Sequence, residues 1–392
     1  MLRTFVLLLA SVLPLHALSA DDATRTRVVV LGVDHAVQLV AAQDSPAHLE
    51  AFLASTGADA ICIERSPEAF ARNDFYEFTY EVQDVVVPYA RRQGIALCPI
   101  DWMPPQEDAL LGFGLDLEQP PELRPQAGFQ QFLTFGPQAL GRTLFHADER
   151  ANLARVHAWA TTPATDAQHD LPRRLYLYRT FLQARRVAAA AKAHPGGTVV
   201  VVVGEFHKHD IEDVLARDPA LAIVQPSHFG VPDARALQAH DRHAYRVAIA
   251  SFNLLGAQSS TDAVDLAFVE RAVQAMEAEG DTPEVRLFRT RLELRQGRID
   301  RRAAIARYRA IADAAGDARF AWTGVKDAAR VDSWFDPYGN LGVRQRAHLE
   351  AAREARAEGD ERLSALMLAR AGEGLSPRQR AQLTGYWQRA AK

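Results

Sequence analysis

The feature that most constrains the fold is a run of five consecutive valines at residues 199–203, which ends at Gly204. A short, wholly apolar, β-branched run of this kind is typical of a strand buried on both faces of a parallel sheet. The chain then continues with Glu205, Phe206 and His207. Because ligands bind at the carboxyl ends of strands in open α/β sheets, an acid and an imidazole at this place are candidates for chemistry.

A second copy of the pattern lies near the start of the chain. The apolar run at residues 28–31 leads into Gly32, and His35 follows three residues later, after Asp34. Both motifs read Gly-x-x-His with an acid inside. A single histidine after a strand can simply cap a helix or bind the backbone, but the repetition favours a shared functional site.

The rest of the chain from about residue 25 to 225 alternates between strand and helix patterns, which predicts a parallel sheet with helices on both faces. Further strands are predicted at residues 60–63, 95–100 and 221–224, and helices at 46–56, 70–93, 147–159, 173–193 and 210–216. After about residue 232 only helix-length segments remain. The predicted fold class is therefore α/β, with a mostly parallel central sheet, followed by an all-α region of helical hairpins for which a tetratricopeptide-like form is one option.

Polar side chains follow the other predicted strands as well. Glu64 and Arg65 come directly after residues 60–63, and Asp101 follows residues 95–100. Since the carboxyl ends of parallel strands meet at one edge, we expect these side chains to lie near the two histidines. Such a set suits a divalent ion such as Zn²⁺, Mn²⁺ or Co²⁺, and it equally suits metal-free acid–base chemistry. Arg65 would either hold Glu64 or bind a substrate anion.

The first twenty residues have the pattern of an export signal. Arg3 precedes an apolar stretch at residues 5–15, and small residues at 17–20 form a cleavage site. This predicts a secreted or periplasmic protein, and no later apolar run reaches the ~20 residues of a membrane span. Cys62 and Cys98 either form a disulfide in that compartment or are two small buried apolar residues.

Length and composition set the domain plan. The chain has 392 residues, of which 48% are hydrophobic, and a formal charge of −4 without a basic stripe, which argues against nucleic-acid binding. We predict an α/β domain at residues 21–235 and a helical domain at 236–392, which would either bind a protein partner or pack on the α/β domain. A segment rich in Pro, Gly and Phe at about 102–141 is either a lid over the carboxyl edge or an ordinary packed loop.

The order of these motifs resembles the TraB/PrgY–Tiki superfamily, which includes the GumN-like proteins, the erythromycin esterases and the ChaN haem-binding lipoproteins. The resemblance rests on Gly32-x-x-His35, on Glu64 after the second strand and on Gly204-x-x-His207, and it covers about residues 25–230. It implies that the two histidines and the glutamate form the active site, as catalytic groups or as metal ligands.

The resemblance also implies an arginine on a helix before the last motif. Arg150 matches the family's Asp-Glu-Arg sequence at the start of a helix, whereas Arg179 has the more usual separation from Gly204 in the chain. The full candidate catalytic set is His35, Glu64, Arg65, Asp101, Arg150, Arg179, Glu205 and His207.

The implied function is an exported hydrolase that cleaves ester or peptide bonds in a small-molecule or peptide substrate. The arginine would stabilise the oxyanion, and the cofactor would be a divalent metal (Mn, Co or Zn) or none. Two alternatives stay open. One is a haem- or iron-binding protein of the ChaN type, and the other is a non-catalytic scaffold that acts through its helical tail.

Overall fold

A computed structural model describes residues 25–105, 108, 132–163, 165 and 167–390. The predicted export signal and most of the segment predicted as an insertion lie outside these residues. Within them the chain forms one sheet whose five strands are all parallel, in the order β3-β2-β4-β1-β5. The strands are β1 (Thr26–Val33), β2 (Ala60–Ile63), β3 (Ala96–Pro99), β4 (Thr198–Gly204) and β5 (Leu221–Ile223).

The valine-rich strand β4 lies at the centre of the sheet, and its side chains serve two separate cores. Val199, Val201 and Val203 pack on one face, whereas Val200 and Val202 pack on the other. All five are fully buried. This alternation is what a strand covered on both sides requires, because successive side chains point to opposite faces. The sequence prediction for this strand is confirmed.

Helices cover both faces of the sheet and then continue alone to the carboxyl terminus. The helices of the α/β part are α1 (Pro46–Thr56), α2 (Pro67–Ala71), α3 (Val87–Gln93), α4 (Arg150–Thr161), α5 (Ala167–Ala193) and α6 (Glu205–Leu215). The following ones are α7 (Ala234–His240), α8 (His243–Ala250), α9 (Leu266–Glu279), α10 (Pro283–Arg295), α11 (Arg301–Ala314), α12 (Val343–Ala357), α13 (Glu361–Ala371) and α14 (Pro377–Arg389). The predicted α/β class with a C-terminal all-α region is confirmed.

The two faces are covered by different parts of the chain. Helices α5 and α6 pack on one face through residues such as Val187 and Ile211. On the other face, α1 and the C-terminal helices share a single hydrophobic core. Its buried residues come from almost the whole described chain, between Val29 and Trp387. No helix in the described ranges is long and apolar enough to cross a membrane.

The described end of the predicted insertion packs against the C-terminal helices. Phe132 contacts Tyr386 with ring centroids 5.4 Å apart, and Phe135 contacts Phe252 at 6.1 Å. This end is a packed loop. Residues 109–131, on which the lid alternative depends, lie outside the described ranges.

The single helix predicted over residues 70–93 is wrong. Helix α2 ends at Ala71, and the backbone of Asn73 takes a left-handed conformation with φ of 55°, which stops the helix. Helical structure resumes only at a short π-helix, Glu81–Val86, which leads into α3. The intervening loop carries Tyr76 and Phe78 to the carboxyl edge of the sheet, where they line a cleft.

A disulfide joins Cys62 on β2 to Cys98 on β3, so the first of the two alternatives for these cysteines is the observed one. The two residues are paired directly across the parallel strands. The bond closes a segment of 36 residues that contains α2, the π-helix and α3. It therefore ties the edge strand, and with it Asp101, to the interior of the sheet.

Removing the disulfide is expected to destabilise the fold. Because the closed segment is 36 residues long, replacing both Cys62 and Cys98 with alanine should lower the free energy of unfolding by about 2–4 kcal/mol. Urea denaturation of the double variant beside the wild type measures this difference. The matching control is a count of free thiols in the unfolded wild type, which should be two after treatment with reductant and none without it. Unchanged stability on reduction would contradict the assignment.

Candidate active site

The carboxyl ends of four strands deliver the predicted polar side chains to one place. His35 follows β1, Glu64 follows β2, Asp101 follows β3 and His207 follows β4. In the strand order β3-β2-β4-β1 these ends are neighbours, so the four side chains lie side by side along the edge. His35, Glu64 and His207 line a cleft of about 380 Å³, into which Arg179 projects from α5.

Glu64 lies at the centre of this arrangement. Its Oε1 accepts a hydrogen bond from Nη2 of Arg179 at 2.7 Å, and its Oε2 accepts one from the backbone N–H of Gly204 at 2.6 Å. Oε2 lies 3.7 Å from Nε2 of His35, and Oε1 lies 3.6 Å from Nε2 of His207. Burial alone would raise the pKa of Glu64, but Arg179 and the two imidazoles outweigh it and lower the pKa to about 2.

Arg179 is held by a bidentate pair with Asp101. Nε donates to Oδ1 and Nη2 donates to Oδ2 of Asp101, each at 2.7 Å. Gln183, one turn further along α5, donates to the same carboxylate at 2.8 Å. Although burial opposes the charged form, Asp101 and Glu64 raise the pKa of Arg179 above its ordinary value. The guanidinium is a fixed positive charge that keeps Glu64 ionised.

His207 is a neutral imidazole whose tautomer can be assigned from its neighbours. The Thr180 hydroxyl donates to the backbone carbonyl of Tyr176 at 2.7 Å, so its oxygen accepts from Nδ1–H of His207, also at 2.7 Å. Nε2 therefore carries the lone pair, and it faces Nη1 of Arg179 at 3.2 Å. Burial and the positive charge of Arg179 outweigh the attraction of Glu64 and lower the pKa of His207 to about 4.

His35 has the opposite protonation state. Its Nδ1 lies 2.8 Å from Oε1 of Glu81, and the second oxygen of that carboxylate accepts from the backbone N–H of Ala36 at 3.0 Å. Burial would lower the pKa of His35, but Glu81 and then Glu64 outweigh it and raise the pKa to about 9. Of the two imidazoles His35 is the accessible one, since 24% of its side chain is exposed, compared with 6% for His207.

The glycines of the two Gly-x-x-His motifs are required by close contacts. A Cβ on Gly204 would lie 3.1 Å from Nε2 of His35 and 3.2 Å from Oε2 of Glu64. A Cβ on Gly32 would lie 2.8 Å from that of Ala147. At Gly204 the absence of a side chain leaves room for His35 and Glu64, and at Gly32 it leaves room for Ala147.

The acids inside the two motifs form a separate ion pair network at the rim of the cleft. Glu205 accepts from Nη1 of Arg142 at 2.7 Å, and Arg142 also lies 3.5 Å from Asp34. Glu205 borders the cleft, but its carboxylate is already paired with Arg142. Only 7% of its side chain is exposed. Arg142 had no sequence motif that pointed to it.

The remaining arginines of the predicted set have different positions. Arg65 turns away from Glu64 and binds Asp74, with Nη2 and Oδ2 2.7 Å apart. Its guanidinium also covers the ring of Tyr76 at 4.0 Å, so it fixes the loop that lines the cleft. Arg150 is the first residue of α4, and its side chain lies outside the described structure. Between the two alternatives, Arg179 is the arginine that contacts Glu64.

Sequence reasoning missed several residues that support the site. Tyr176, Thr180 and Gln183 share one face of α5 with Arg179, at the i, i+3, i+4, i+7 spacing of a helix. Polar residues on that stripe, in a helix expected to pack on a sheet, were a usable signal. Glu81 offered a weaker signal, as an acid in an apolar stretch that forms a π-helix.

Aromatic side chains form the walls of the cleft. The ring of Tyr176 stacks on the imidazole of His207 with 5.1 Å between centroids, and Phe78 meets His35 edge to face at 5.3 Å. Trp159 and Phe206 stand at the mouth with 40% and 50% of their surfaces exposed. The cleft therefore favours a ligand with apolar or aromatic groups beside the polar atoms that meet Glu64.

The donor set does not suit a divalent metal in this arrangement. A metal bound by His35, Glu64 and His207 would have to share Oε1 of Glu64 and Nε2 of His207 with the guanidinium of Arg179, which already contacts both. Because the pKa of His35 is raised to about 9, a metal at its Nε2 would also have to displace a proton at neutral pH. Within the described ranges no three His, Cys, Asp or Glu side chains are arranged to hold a metal ion.

Comparisons of the chain with protein-family models, with curated proteins and with solved structures gave no match. The resemblance to the TraB/PrgY–Tiki superfamily therefore stays a prediction that rests on the two Gly-x-x-His motifs and Glu64.

Proposed function

We propose that this protein is an exported hydrolase that cleaves ester or peptide bonds by metal-free acid–base chemistry. The observation that carries the proposal is the pairing of Glu64 with His35, whose pKa values of about 2 and about 9 are moved apart by their surroundings. Two neighbouring groups of this kind provide a base and an acid at neutral pH. The disulfide supports export, since such bonds persist in oxidising compartments.

The distances allow a complete proton cycle. Oε2 of Glu64 and Nε2 of His35 are 3.7 Å apart, so a water beside them in the cleft could donate a hydrogen bond to the carboxylate and accept one from the imidazolium. Glu64 takes a proton from this water as its oxygen attacks the substrate carbonyl carbon. The bond to the leaving group then breaks, and His35 gives its proton to the departing alkoxide or amine. The proton on Glu64 returns to His35, so the enzyme is restored and the net reaction consumes one water.

His207 and Arg179 are positioning residues in this scheme. Nδ1 of His207 is anchored by Thr180, and its Nε2 accepts from Arg179, which in turn fixes Glu64. Arg179 was expected from the family resemblance to stabilise the oxyanion. Its N–H groups instead point to Asp101, Glu64 and His207, so its contribution is to orient and ionise the base.

Chelation is expected to leave the activity unchanged. Because Arg179 occupies the space that a metal at Glu64 would need, dialysis against EDTA should alter the hydrolysis of 4-nitrophenyl esters by less than about twofold, a difference of under ~0.5 kcal/mol. Added Mn²⁺, Co²⁺ or Zn²⁺ should not raise it. Activity that disappears with EDTA and returns with one of these ions would refute the metal-free scheme.

The pH dependence should follow the protonation of His35. Its raised pKa means that the charged, proton-donating form is present below about pH 9 and is lost as the pH rises through that value. Glu64, with its lowered pKa of about 2, stays ionised over the same range. The rate should therefore fall on the alkaline side near pH 9. A fall near pH 6.5, the ordinary value for histidine, would disagree.

Replacing Glu81 with glutamine tests the cause of that shift. Without the carboxylate, burial lowers the pKa of His35 unopposed by its strongest partner, so the alkaline limb of the pH–rate profile should move from about 9 towards 6.5 or below. A variant that is only less stable would lose activity at every pH instead. The matched control is Glu68→Gln, which changes an exposed carboxylate after the same strand as Glu64.

The aromatic walls narrow the substrate class. Esters and peptides with aromatic or long apolar groups next to the cleaved bond should be preferred over acetyl esters, because Tyr76, Phe78 and Tyr176 flank the reacting groups. Hydrolysis of 4-nitrophenyl acetate, butyrate and phenylacetate, beside a peptide library, tests both the reaction and this preference. Failure of all these substrates with folded wild-type protein would count against the hydrolase.

A further inference from the structure

A second cleft lies in the C-terminal helical part and shares no lining residue with the candidate active site. Its volume is about 740 Å³, and residues of α10, α12 and α14 form its walls. We call it the arginine cleft, after the residues that define it: Arg291, Arg353, Arg356, Arg389, Tyr338 and Trp387. A volume of this size is within the range of pockets that hold small organic molecules.

Positive charge exceeds negative charge around the arginine cleft. Arg291 and Arg353 of the cleft are paired with Glu354 and Glu350, both buried on α12. Each is shared by two arginines: Glu350 by Arg346 and Arg353 at 2.9 Å each, and Glu354 by Arg291 at 2.7 Å and Arg301 at 3.2 Å. Arg346 is also paired with Asp336 at 2.6 Å, so these four arginines share three acids and one positive charge is left over.

Two further arginines add to the surplus. Neither Arg356 nor Arg295 forms an ion pair with an Asp or Glu of the described chain. Burial lowers the pKa of Arg356, Glu361 and Tyr338 oppose this effect, and the guanidinium of Arg353 adds a smaller lowering. Burial and Arg291 likewise lower the pKa of Arg295. An anion bound here would relieve the repulsion among these like charges.

The cleft also offers an apolar surface beside the charges. The guanidinium of Arg356 lies 3.5 Å from the ring centroid of Trp387, and that of Arg353 lies 5.0 Å from the ring of Tyr338. Stacking on an aromatic ring fixes the plane of a guanidinium. The N–H groups along its edge stay available to donate hydrogen bonds to a planar or tetrahedral anion. The site thus combines fixed donors with an aromatic wall.

We propose that the arginine cleft binds an organic anion, namely a carboxylate or phosphate group carried on an aromatic or aliphatic body. The anionic group would accept hydrogen bonds from Arg356, and the apolar body would pack against Trp387. This gives the helical region a small-molecule binding function of its own, independent of hydrolysis at Glu64.

Isothermal titration of the full mature chain with N-acetyl-phenylalanine, with its uncharged amide and with phenyl phosphate tests the proposal. The two acids should bind at least about tenfold more tightly than the amide, since a charge-assisted hydrogen bond contributes that much. The tighter of the two acids identifies the anion type. Equal affinity for the acid and its amide would overturn the proposal.

Variants locate the binding. Arg356→Gln should weaken the binding of both acids by about tenfold. Arg302→Gln, on the neighbouring α11 and 87% exposed, should leave them unchanged. Glu64→Gln should bind the acids like the wild type, which separates this result from any failure at the active site. Wild-type affinity for the acids in Arg356→Gln would refute the assignment.

Discussion

Glu64→Gln is expected to lower kcat/KM for ester hydrolysis by about 10²–10⁴-fold while the protein stays folded. The substitution keeps the shape of the side chain and an oxygen that accepts from the backbone N–H of Gly204. It removes the negative charge that takes the proton from water. Because the loss is in the chemical step, kcat should fall far more than KM rises.

The control for this variant is Glu68→Gln, an exposed glutamate four residues later that makes no contact with the cleft. It should retain the wild-type rate. Glu205→Gln is the more demanding comparison, since Glu205 borders the cleft but is paired with Arg142. If Glu205→Gln loses as much activity as Glu64→Gln, or if Glu64→Gln retains the wild-type rate, the assignment of the base is wrong.

Arg179→Met is expected to destabilise the protein by about 3–5 kcal/mol, the range found when one partner of a buried ion pair is removed. Asp101 is fully buried and Glu64 is 6% exposed, so both carboxylates would stay in the interior without a cation. Burial would then raise the pKa of Glu64, so its ionised form would no longer contribute the stability that it gives the wild type at neutral pH, and the loss should shrink as the pH falls and the carboxyl takes up a proton. Urea denaturation at pH 7 and at pH 5 measures both effects.

A second substitution separates the charge effect from a loss of packing. Arg179→Met combined with Asp101→Asn removes one of the two orphaned charges, and it should recover a good part of the lost stability. Arg185→Met, at an exposed position on the same helix, should cost less than about 0.5 kcal/mol. A cost no larger for Arg179→Met than for Arg185→Met would show that the pairs with Asp101 and Glu64 do not form.

The parallel sheet and the position of its polar edge were predictable because they follow from local patterns. The valine run can be satisfied only by a strand with both faces covered, and strands of that kind are parallel. Parallel strands bring the residues after them to one edge, so His35, Glu64, Asp101 and His207 could be placed together from chain order alone. The C-terminal helical region was predictable because only helix-length segments remain after about residue 232.

The supporting residues were not predictable, because they depend on contacts between elements distant in sequence. Glu81 reaches His35 only since the helix predicted over 70–93 breaks at Asn73 and restarts as a π-helix. Arg65 binds Asp74 in the loop that follows the break, in place of a pairing with Glu64. Nothing in the local pattern distinguished these two uses of Arg65.

The tautomer and charge of each imidazole were also beyond the sequence. Both histidines occupy the same place in the same motif, yet one lies against Glu81 and the other against Thr180 and Arg179. Those neighbours raise the pKa of His35 and lower the pKa of His207. A motif of four residues cannot encode this difference, which decides which imidazole donates the proton.

Titration of the two imidazoles by NMR, in the wild type and in Glu64→Gln, tests most directly whether His35, Glu64 and His207 share one cleft. The chain has 13 histidines, so His35→Gln and His207→Gln assign the two signals. In the wild type His35 should titrate near pH 9 and His207 near pH 4. Loss of the Glu64 charge should lower both values, since the carboxylate raises each of them. Two ordinary titrations near pH 6.5, unmoved by Glu64→Gln, would contradict the shared site.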